Sequence, residues 1–221
     1  MRVADVHTHG DAHAGDGGTA RVTPHPGLAP RRIVLLTGDP DAGKTKLCRR
    51  VVEETRLKGV RVSGLLTEAR RLSSGRIVQT VLNLRTGERR RLADYVGVDE
   101  GEPIGRGVAG RFSWTFVSES VRWGRHELDR CLTGEADLLV IDQLGPLELL
   151  AGSGWVNGVR VLAEGRYGLA LVVVNPLVLD RLNERLTTAE VTKVDAAPDR
   201  IDLLRERLVR LALESRLDRR A

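Results

Sequence analysis

The sequence predicts an α/β fold, a mainly parallel sheet with helices on both faces and a small antiparallel strand addition. Three observations lead to this prediction. Short apolar runs alternate along the chain with segments of helical length, which is typical of strand and helix units in a parallel sheet. A glycine-bounded loop joins the first strand to the first helix. Residues 76–95 carry two short runs separated by Thr86-Gly87, a hairpin pattern that indicates antiparallel strands.

Eight segments are predicted strands because they are short, apolar or alternating, and bounded by turn residues. In chain order they are 33–36, 60–66, the two arms of the 76–95 hairpin, 111–117, 137–141, 168–174 and 190–194. Five segments are predicted helices: 44–58 ended by Gly59, 118–132 capped by Ser118, 155–165, 176–186 and the amphipathic segment 198–217. Residues 96–110 are rich in glycine and are predicted to be a loop.

Length and composition limit the organisation of the chain and its location. A chain of 221 residues suits one domain and a tail. Residues 1–31 are rich in Gly, Ala, His, Asp and Pro without an apolar period, so we expect a disordered tail there and the domain at 32–221. No apolar run is long enough to span a membrane, and the first residues lack the apolar block of a signal peptide. Two cysteines without metal-type spacing fit a cytoplasmic protein.

The charge balance bears on the partners of the protein. The formal net charge is +5 and the pI is near 9.7, which favours polyanions, nucleotides and nucleic acids alike. Aromatic residues make up only 3% of the chain, so a stacking platform for single-stranded nucleic acid is not expected. Nucleic acid is therefore not indicated as a partner.

The loop after the first strand has the pattern G-x-x-x-x-G-K-[ST]. Its residues are Gly38, Asp39, Pro40, Asp41, Ala42, Gly43, Lys44 and Thr45, and all eight are predicted to bind the nucleotide. A strand before the loop and a helix after it supply the context that this motif requires. The glycines permit backbone angles that turn N–H groups toward an anion. We predict that Lys44 contacts the β- and γ-phosphates and that the Thr45 hydroxyl binds Mg²⁺.

A second functional position follows the buried run Leu138 to Ile141, which ends at Asp142. Such a run predicts a parallel strand buried on both faces, with the carboxylate at its C-terminal end. We predict that Asp142 is the second Mg²⁺ ligand, and the alternative is an aspartate that caps the next turn. The intervening strands suggest a RecA-like order, in which one strand separates the loop strand from the Asp142 strand.

In that order a carboxylate beside the aspartate usually activates water, but here the neighbour is Gln143. Glutamine orients a water without accepting its proton, and loss of a general base typically lowers the rate by ~10²–10⁴. We therefore expect slow hydrolysis unless another carboxylate substitutes. Glu148 is the first candidate, and the alternative is an exposed charge at a turn. Asn175, at the end of the 168–174 strand, either senses the γ-phosphate or begins a turn.

Three sequence motifs carry a resemblance to a known family. They are Gly38 to Thr45, Gly64-Leu-Leu-Thr67-Glu68-Ala-Arg70, and Leu139-Val-Ile-Asp142-Gln143-Leu-Gly145-Pro146-Leu147-Glu148. Over about residues 32–195 the sequence resembles the thermophile-type nucleoside-triphosphatase family, which includes the cancer-related nucleoside-triphosphatase of animals. The resemblance implies a RecA-like P-loop domain that hydrolyses ATP, GTP and other nucleoside triphosphates with Mg²⁺. Gln143 stands where the family has Glu, and Leu65 where it has an aromatic residue.

Two other functions are compatible with the same motifs. A nucleotide-binding switch with little hydrolysis is suggested by Gln143. A nucleotide or nucleoside kinase would use the same phosphate loop, but the sequence alone identifies no site for a phosphoryl acceptor.

Overall fold

The computed structural model describes residues 31–99, 111–187 and 189–218. Its strands are β1 (Arg32–Thr37), β2 (Val62–Arg71), β3 (Ile77–Asn83), β4 (Arg89–Asp99), β5 (Arg111–Phe116), β6 (Glu135–Leu144), β7 (Arg166–Val174) and β8 (Glu190–Asp195). Its helices are α1 (Lys44–Leu57), α2 (Ser118–Thr133), α3 (Pro146–Leu149), α4 (Gly158–Glu164), α5 (Leu179–Asn183) and α6 (Ile201–Asp218). Two 3₁₀ turns, Pro176–Val178 and Pro198–Arg200, precede α5 and α6.

The strands form one sheet in the order β5-β4-β3-β2-β6-β7-β1-β8. Strands β2, β6, β7, β1 and β8 run parallel, and β3, β4 and β5 extend the sheet by antiparallel pairing. Strand β7 lies between β1 and β6, so one strand separates the loop strand from the Asp142 strand. The predicted fold class and strand order are therefore confirmed.

Successive side chains of a strand point to opposite faces of the sheet, so the apolar parallel strands present an apolar surface on both faces. Helices cover both of these faces. Leu139 and Ile141 of β6 pack on one face with residues of α2 and α4, whereas Leu138 and Val140 pack on the other with residues of α1. Cys48 of α1 is fully buried against the second face. Burial of each leucine-sized side chain contributes roughly 1.5–3 kcal/mol, so these two clusters hold the sheet and fix the strand ends that carry the site.

Several predicted boundaries are wrong. Ser118 is the first residue of α2 and makes no capping hydrogen bond. Val117 is the N-cap instead, and the Val117 N–H donates a hydrogen bond to the Leu92 carbonyl of β4. Residues 96–99 continue β4, since β5 gives them a pairing partner. The rest of the predicted loop, 100–110, and the predicted tail up to residue 30 lie outside the described residues.

Three segments near β6 and β7 also differ from prediction. Helix α4 begins at Gly158 rather than at residue 155, and the short helix α3 was not predicted. The predicted helix at 176–186 is a 3₁₀ turn followed by α5. Within 31–99, 111–187 and 189–218, no helix is both long and apolar enough to cross a bilayer.

Candidate active site

The loop between β1 and α1 has the backbone shape that an anion-binding loop needs. Gly38 and Gly43 have φ angles of 124° and 78°, which side chains rarely tolerate. A Cβ at Gly38 would lie 2.6 Å from the Ala196 carbonyl oxygen, so only glycine fits there. Gly43 is the N-cap of α1 and supplies no capping side chain. Because the first N–H groups of a helix lack helical acceptors, this end of α1 can bind an anion.

Lys44 points back across the loop. Its ammonium donates a hydrogen bond to the Gly38 carbonyl at 2.8 Å and another to the Asp39 carbonyl. Partial burial lowers the pKa of Lys44, and nearby acidic groups, Asp142 first among them, oppose that effect. The loop therefore holds one positive charge at its centre, where a phosphate tail would carry its negative charge.

Thr45 and Asp142 meet beside this loop. The Thr45 hydroxyl donates to the Asp142 Oδ2 atom at 2.8 Å, although 97 residues separate them in the sequence. Asp142 is 1% exposed, and burial raises its pKa to about 6. Hydrogen bonds from Thr45 and Thr67 limit that rise. Thr67 holds the aspartate from β2, since its backbone N–H lies 3.4 Å from Oδ2 and its hydroxyl donates to the Asp142 carbonyl at 2.9 Å.

The Thr45 and Asp142 oxygens fit Mg²⁺. Mg²⁺ prefers hard oxygen ligands and is usually bound by one or two carboxylates together with substrate phosphates and water. Within the described parts of the chain, no three His, Cys, Asp or Glu side chains form a metal-binding group. The metal roles of Thr45 and Asp142 stay predictions.

Gln143 and Glu148 occupy different environments. Gln143 is exposed at the end of β6. Glu148 is partly buried, because its Oε2 atom accepts the Gly145 N–H at 2.9 Å and its Oε1 atom accepts the Trp155 N–H at 3.2 Å. Burial raises the pKa of Glu148. The alternative of Glu148 as an exposed charge is therefore wrong, and its catalytic role stays a prediction.

Other strand-end residues have structural partners. The Asn175 side-chain oxygen accepts the Leu177 N–H at 2.9 Å and begins the 3₁₀ turn, which favours the turn over contact with phosphate. Glu68 forms ion pairs with Arg49 and, at 2.8 Å, with Arg89. Sequence reasoning missed the contact of Thr67 with Asp142. Thr67 lies two residues past Leu65, the last β2 residue that pairs with β6, and no sequence pattern marks that pairing.

The family is decided by comparison with known proteins. A family model described as NTPase matches residues 33–202. The chain belongs to this NTPase family. A relative named Nucleoside-triphosphatase THEP1, from Caldivirga maquilingensis, is 32% identical over 173 residues, which are 76% of this chain and 91% of the relative. The Pyrococcus abyssi protein of the same name is 34% identical over 120 residues, 52% of this chain and 59% of that protein.

A solved structure agrees with the fold. The solution structure of a human cancer-related nucleoside triphosphatase matches with a TM-score of 0.60 and 26% identity, over 83% of this chain and 98% of that chain. The predicted membership of this P-loop NTPase family is confirmed. The roles of the individual site residues are not decided by these similarities.

Proposed function

We propose that the protein is a Mg²⁺-dependent nucleoside-triphosphatase that slowly releases the terminal phosphate of ATP, GTP and other nucleoside triphosphates. The observation that carries this proposal is the contact between the Thr45 hydroxyl and the Asp142 carboxylate at 2.8 Å, beside the phosphate loop. Two oxygen groups from distant parts of the chain meet there, where a metal ion could bridge them to a phosphate tail. The names of the relatives support the same reaction.

Each residue of the site has a proposed task. The backbone N–H groups from Gly38 to Thr45 bind the phosphate oxygens, and Lys44 leaves its carbonyl partners to contact the β- and γ-phosphates. Thr45 and Asp142 hold Mg²⁺, which neutralises charge on the phosphate oxygens when it is bound. The Gln143 side chain orients the attacking water, because its amide oxygen accepts a hydrogen bond from that water and its amide N–H donates one to the water oxygen. Glu148 is the carboxylate proposed to take the proton of that water.

The proposed breadth of substrates follows from which part of a nucleotide these groups contact. All of them address the triphosphate and its metal, and this part is common to every nucleoside triphosphate. The proposed slow rate follows from Gln143, since the residue beside Asp142 cannot accept a proton and the proposed base, Glu148, already accepts two backbone N–H groups. A nucleotide-binding switch is the second candidate, because the residue beside Asp142 is exposed and is not a base. The cytoplasmic location stays a prediction.

Phosphate release from a panel of nucleoside triphosphates, with and without Mg²⁺, tests the proposal. Lys44→Ala is expected to lower the rate by about 10²–10³, because it removes the cation aimed at the transferred phosphoryl group. Lys46→Ala is the matched control, since Lys46 is an exposed lysine two residues further along the same helix. Equal release by wild type and Lys44→Ala would identify a contaminant and contradict the proposal.

A further inference from the structure

A second cavity lies beside the phosphate site, on the side of the antiparallel strands. Its volume is about 180 Å³, and Thr67, Gln79, Trp114, Phe116, Gln143 and Glu148 contribute to its walls. It lies between the faces of β3, β4 and β5, the start of α2 and the segment that joins β6 to α3. None of the residues named for binding triphosphate in the loop from Gly38 to Thr45 lines it.

The cavity adjoins the predicted metal ligand Asp142. Thr67 lines it, and the Thr67 N–H points to the same Asp142 Oδ2 atom that accepts the Thr45 hydroxyl. Gln143, the residue after Asp142, lines it as well. A ligand in the cavity would therefore adjoin the end of a triphosphate bound in the loop.

The cavity concentrates the aromatic residues of the chain. The chain has three Trp, two Tyr and two Phe, and three of these seven, Trp114, Phe116 and Trp155, line the cavity. Tyr95 supports Trp114 edge-on, with ring centroids 5.5 Å apart. Phe116 is 40% exposed, so it presents an apolar ring to a ligand rather than to the protein core. Trp155 is 4% exposed and belongs to the core, so Phe116 and Trp114 supply the accessible aromatic wall, which favours a planar ring as the ligand.

The polar residues of the cavity limit the charge of that ligand, and the cavity volume limits its size. Two amides, one hydroxyl and one carboxylate line the cavity, and no Lys or Arg is among the described residues that do so. Among these described lining residues, an anion would find no cation to pair with. The volume is below the roughly 300 Å³ at the lower end for drug-sized ligands, which favours a small molecule with one aromatic ring.

We propose that this cavity binds a neutral alcohol that carries one aromatic or heteroaromatic ring, and that this alcohol accepts the terminal phosphoryl group of the nucleotide. This inference rests on the proposed nucleotide site. The oxygen of the alcohol forms a bond to the γ-phosphorus, while the bond from that phosphorus to the β–γ bridging oxygen breaks. The hydroxyl proton passes to the Glu148 carboxylate, which retains lone pairs beyond its two N–H contacts, and then to water. The products are a nucleoside diphosphate and the phosphate ester of the alcohol.

Transfer of labelled phosphate from γ-labelled ATP tests the inference. The probes are uridine, cytidine and pyridine methanol, which separate a nucleoside acceptor from a simpler ring-bearing alcohol. We expect a labelled phosphate ester of at least one probe. Phe116→Ala, at a position that is 40% exposed, is expected to shift the partition between ester and free phosphate about tenfold toward free phosphate. Trp114→Ala is the second variant. Trp123→Phe is the control, because Trp123 packs under Arg90 and does not line the cavity.

The possible outcomes separate this inference from the proposed function. Release of phosphate with no ester from any probe would overturn the inference and leave the proposed hydrolysis intact. Binding of a probe without transfer, seen as a change of tryptophan fluorescence, would also overturn the acceptor role. Loss of both ester and free phosphate in wild type would contradict the proposed function itself. If Phe116→Ala and Trp114→Ala both give as much ester as the wild type, the acceptor binds outside this cavity and the inference is overturned.

Discussion

The phosphate loop and the aromatic cavity adjoin each other but are built differently. The loop is local, since eight consecutive residues between β1 and α1 supply its glycines, its lysine and its threonine. The cavity is assembled from β2, β3, β4, β5, α2 and the segment after β6, and its aromatic residues lie between positions 114 and 155. The two regions meet through Thr67 and Asp142.

The comparison separates a region that a short motif specifies from one that several elements assemble. A loop that binds a triphosphate needs backbone N–H groups and one cation, so a short motif specifies it. A cavity for a ring needs surfaces from several elements, and no fixed spacing describes it. We infer that the loop determines the nucleotide chemistry, whereas the cavity determines what receives the phosphoryl group.

The largest expected effect is that of Asp142→Asn. This variant should lower nucleotide hydrolysis about 10³-fold, since it removes the carboxylate proposed to hold Mg²⁺. The same change should raise the free energy of unfolding of the metal-free protein, because burial penalises the charged carboxylate. Phosphate release and denaturant unfolding in the presence of a chelator measure the two effects. A stable Asp142→Asn protein with wild-type activity would remove Asp142 from the site.

The pH dependence sharpens this test. The pKa of Asp142 is raised from 3.8 to about 6 in the folded protein, so the folded state binds more protons than the unfolded state between these values. The stability of the wild type relative to Asp142→Asn therefore falls as pH rises from about 4 to 6. Above that range the variant should be more stable by about 1–3 kcal/mol, and at pH 3 the difference should vanish. A difference that is constant with pH would contradict burial as its cause.

The next largest effect concerns Gln143, which lines the cavity and is proposed to orient water in the nucleotide site. Gln143→Glu introduces a base beside Asp142, and we expect hydrolysis to rise about 10²-fold. Steady-state phosphate release measures the gain, and Gln143→Ala is the comparison that removes the amide without adding a base. A large gain would support the second candidate function, in which the wild-type protein mainly binds nucleotide and hydrolyses little of it. An unchanged rate would mean that residue 143 does not contact the water.

The sequence identifies the two regions to different extents, for physical reasons. Gly38 to Thr45 and Asp142 could be located because a motif and a buried run mark the C-terminal ends of two parallel strands, which gather at one edge. Thr67 could not be assigned a partner, since its contact with Asp142 depends on the pairing of β2 with β6. Trp114 and Trp155 carry no pattern that relates them. Glu148 was recognised as a carboxylate near the site, but its two N–H partners depend on how the loop after α3 closes.

The hydrogen bonds of Glu148 should stabilise the segment from Gly145 to Trp155, which lies beside both regions. Glu148→Ala leaves the Gly145 and Trp155 N–H groups without their acceptor, and we expect a loss of about 2–3 kcal/mol in the free energy of unfolding. Glu164→Ala is the matched control, because Glu164 only forms an exposed pair with Arg160, and it should cost less than about 0.5 kcal/mol. Urea titration measures both variants. Equal stability of Glu148→Ala and wild type would show that these hydrogen bonds do not hold the segment.

The smallest expected effect is that of Asn175→Ala, at the end of β7. Asn175 holds the 3₁₀ turn through the Leu177 N–H, so its removal should lower the free energy of unfolding by about 0.5–1 kcal/mol. Hydrolysis should stay within about twofold of wild type, because the side-chain oxygen is already used by the turn. Asn175→Asp retains the acceptor and should restore stability. A tenfold loss of rate with unchanged nucleotide affinity would instead assign Asn175 to the γ-phosphate, and the nucleotide site would then extend across β7.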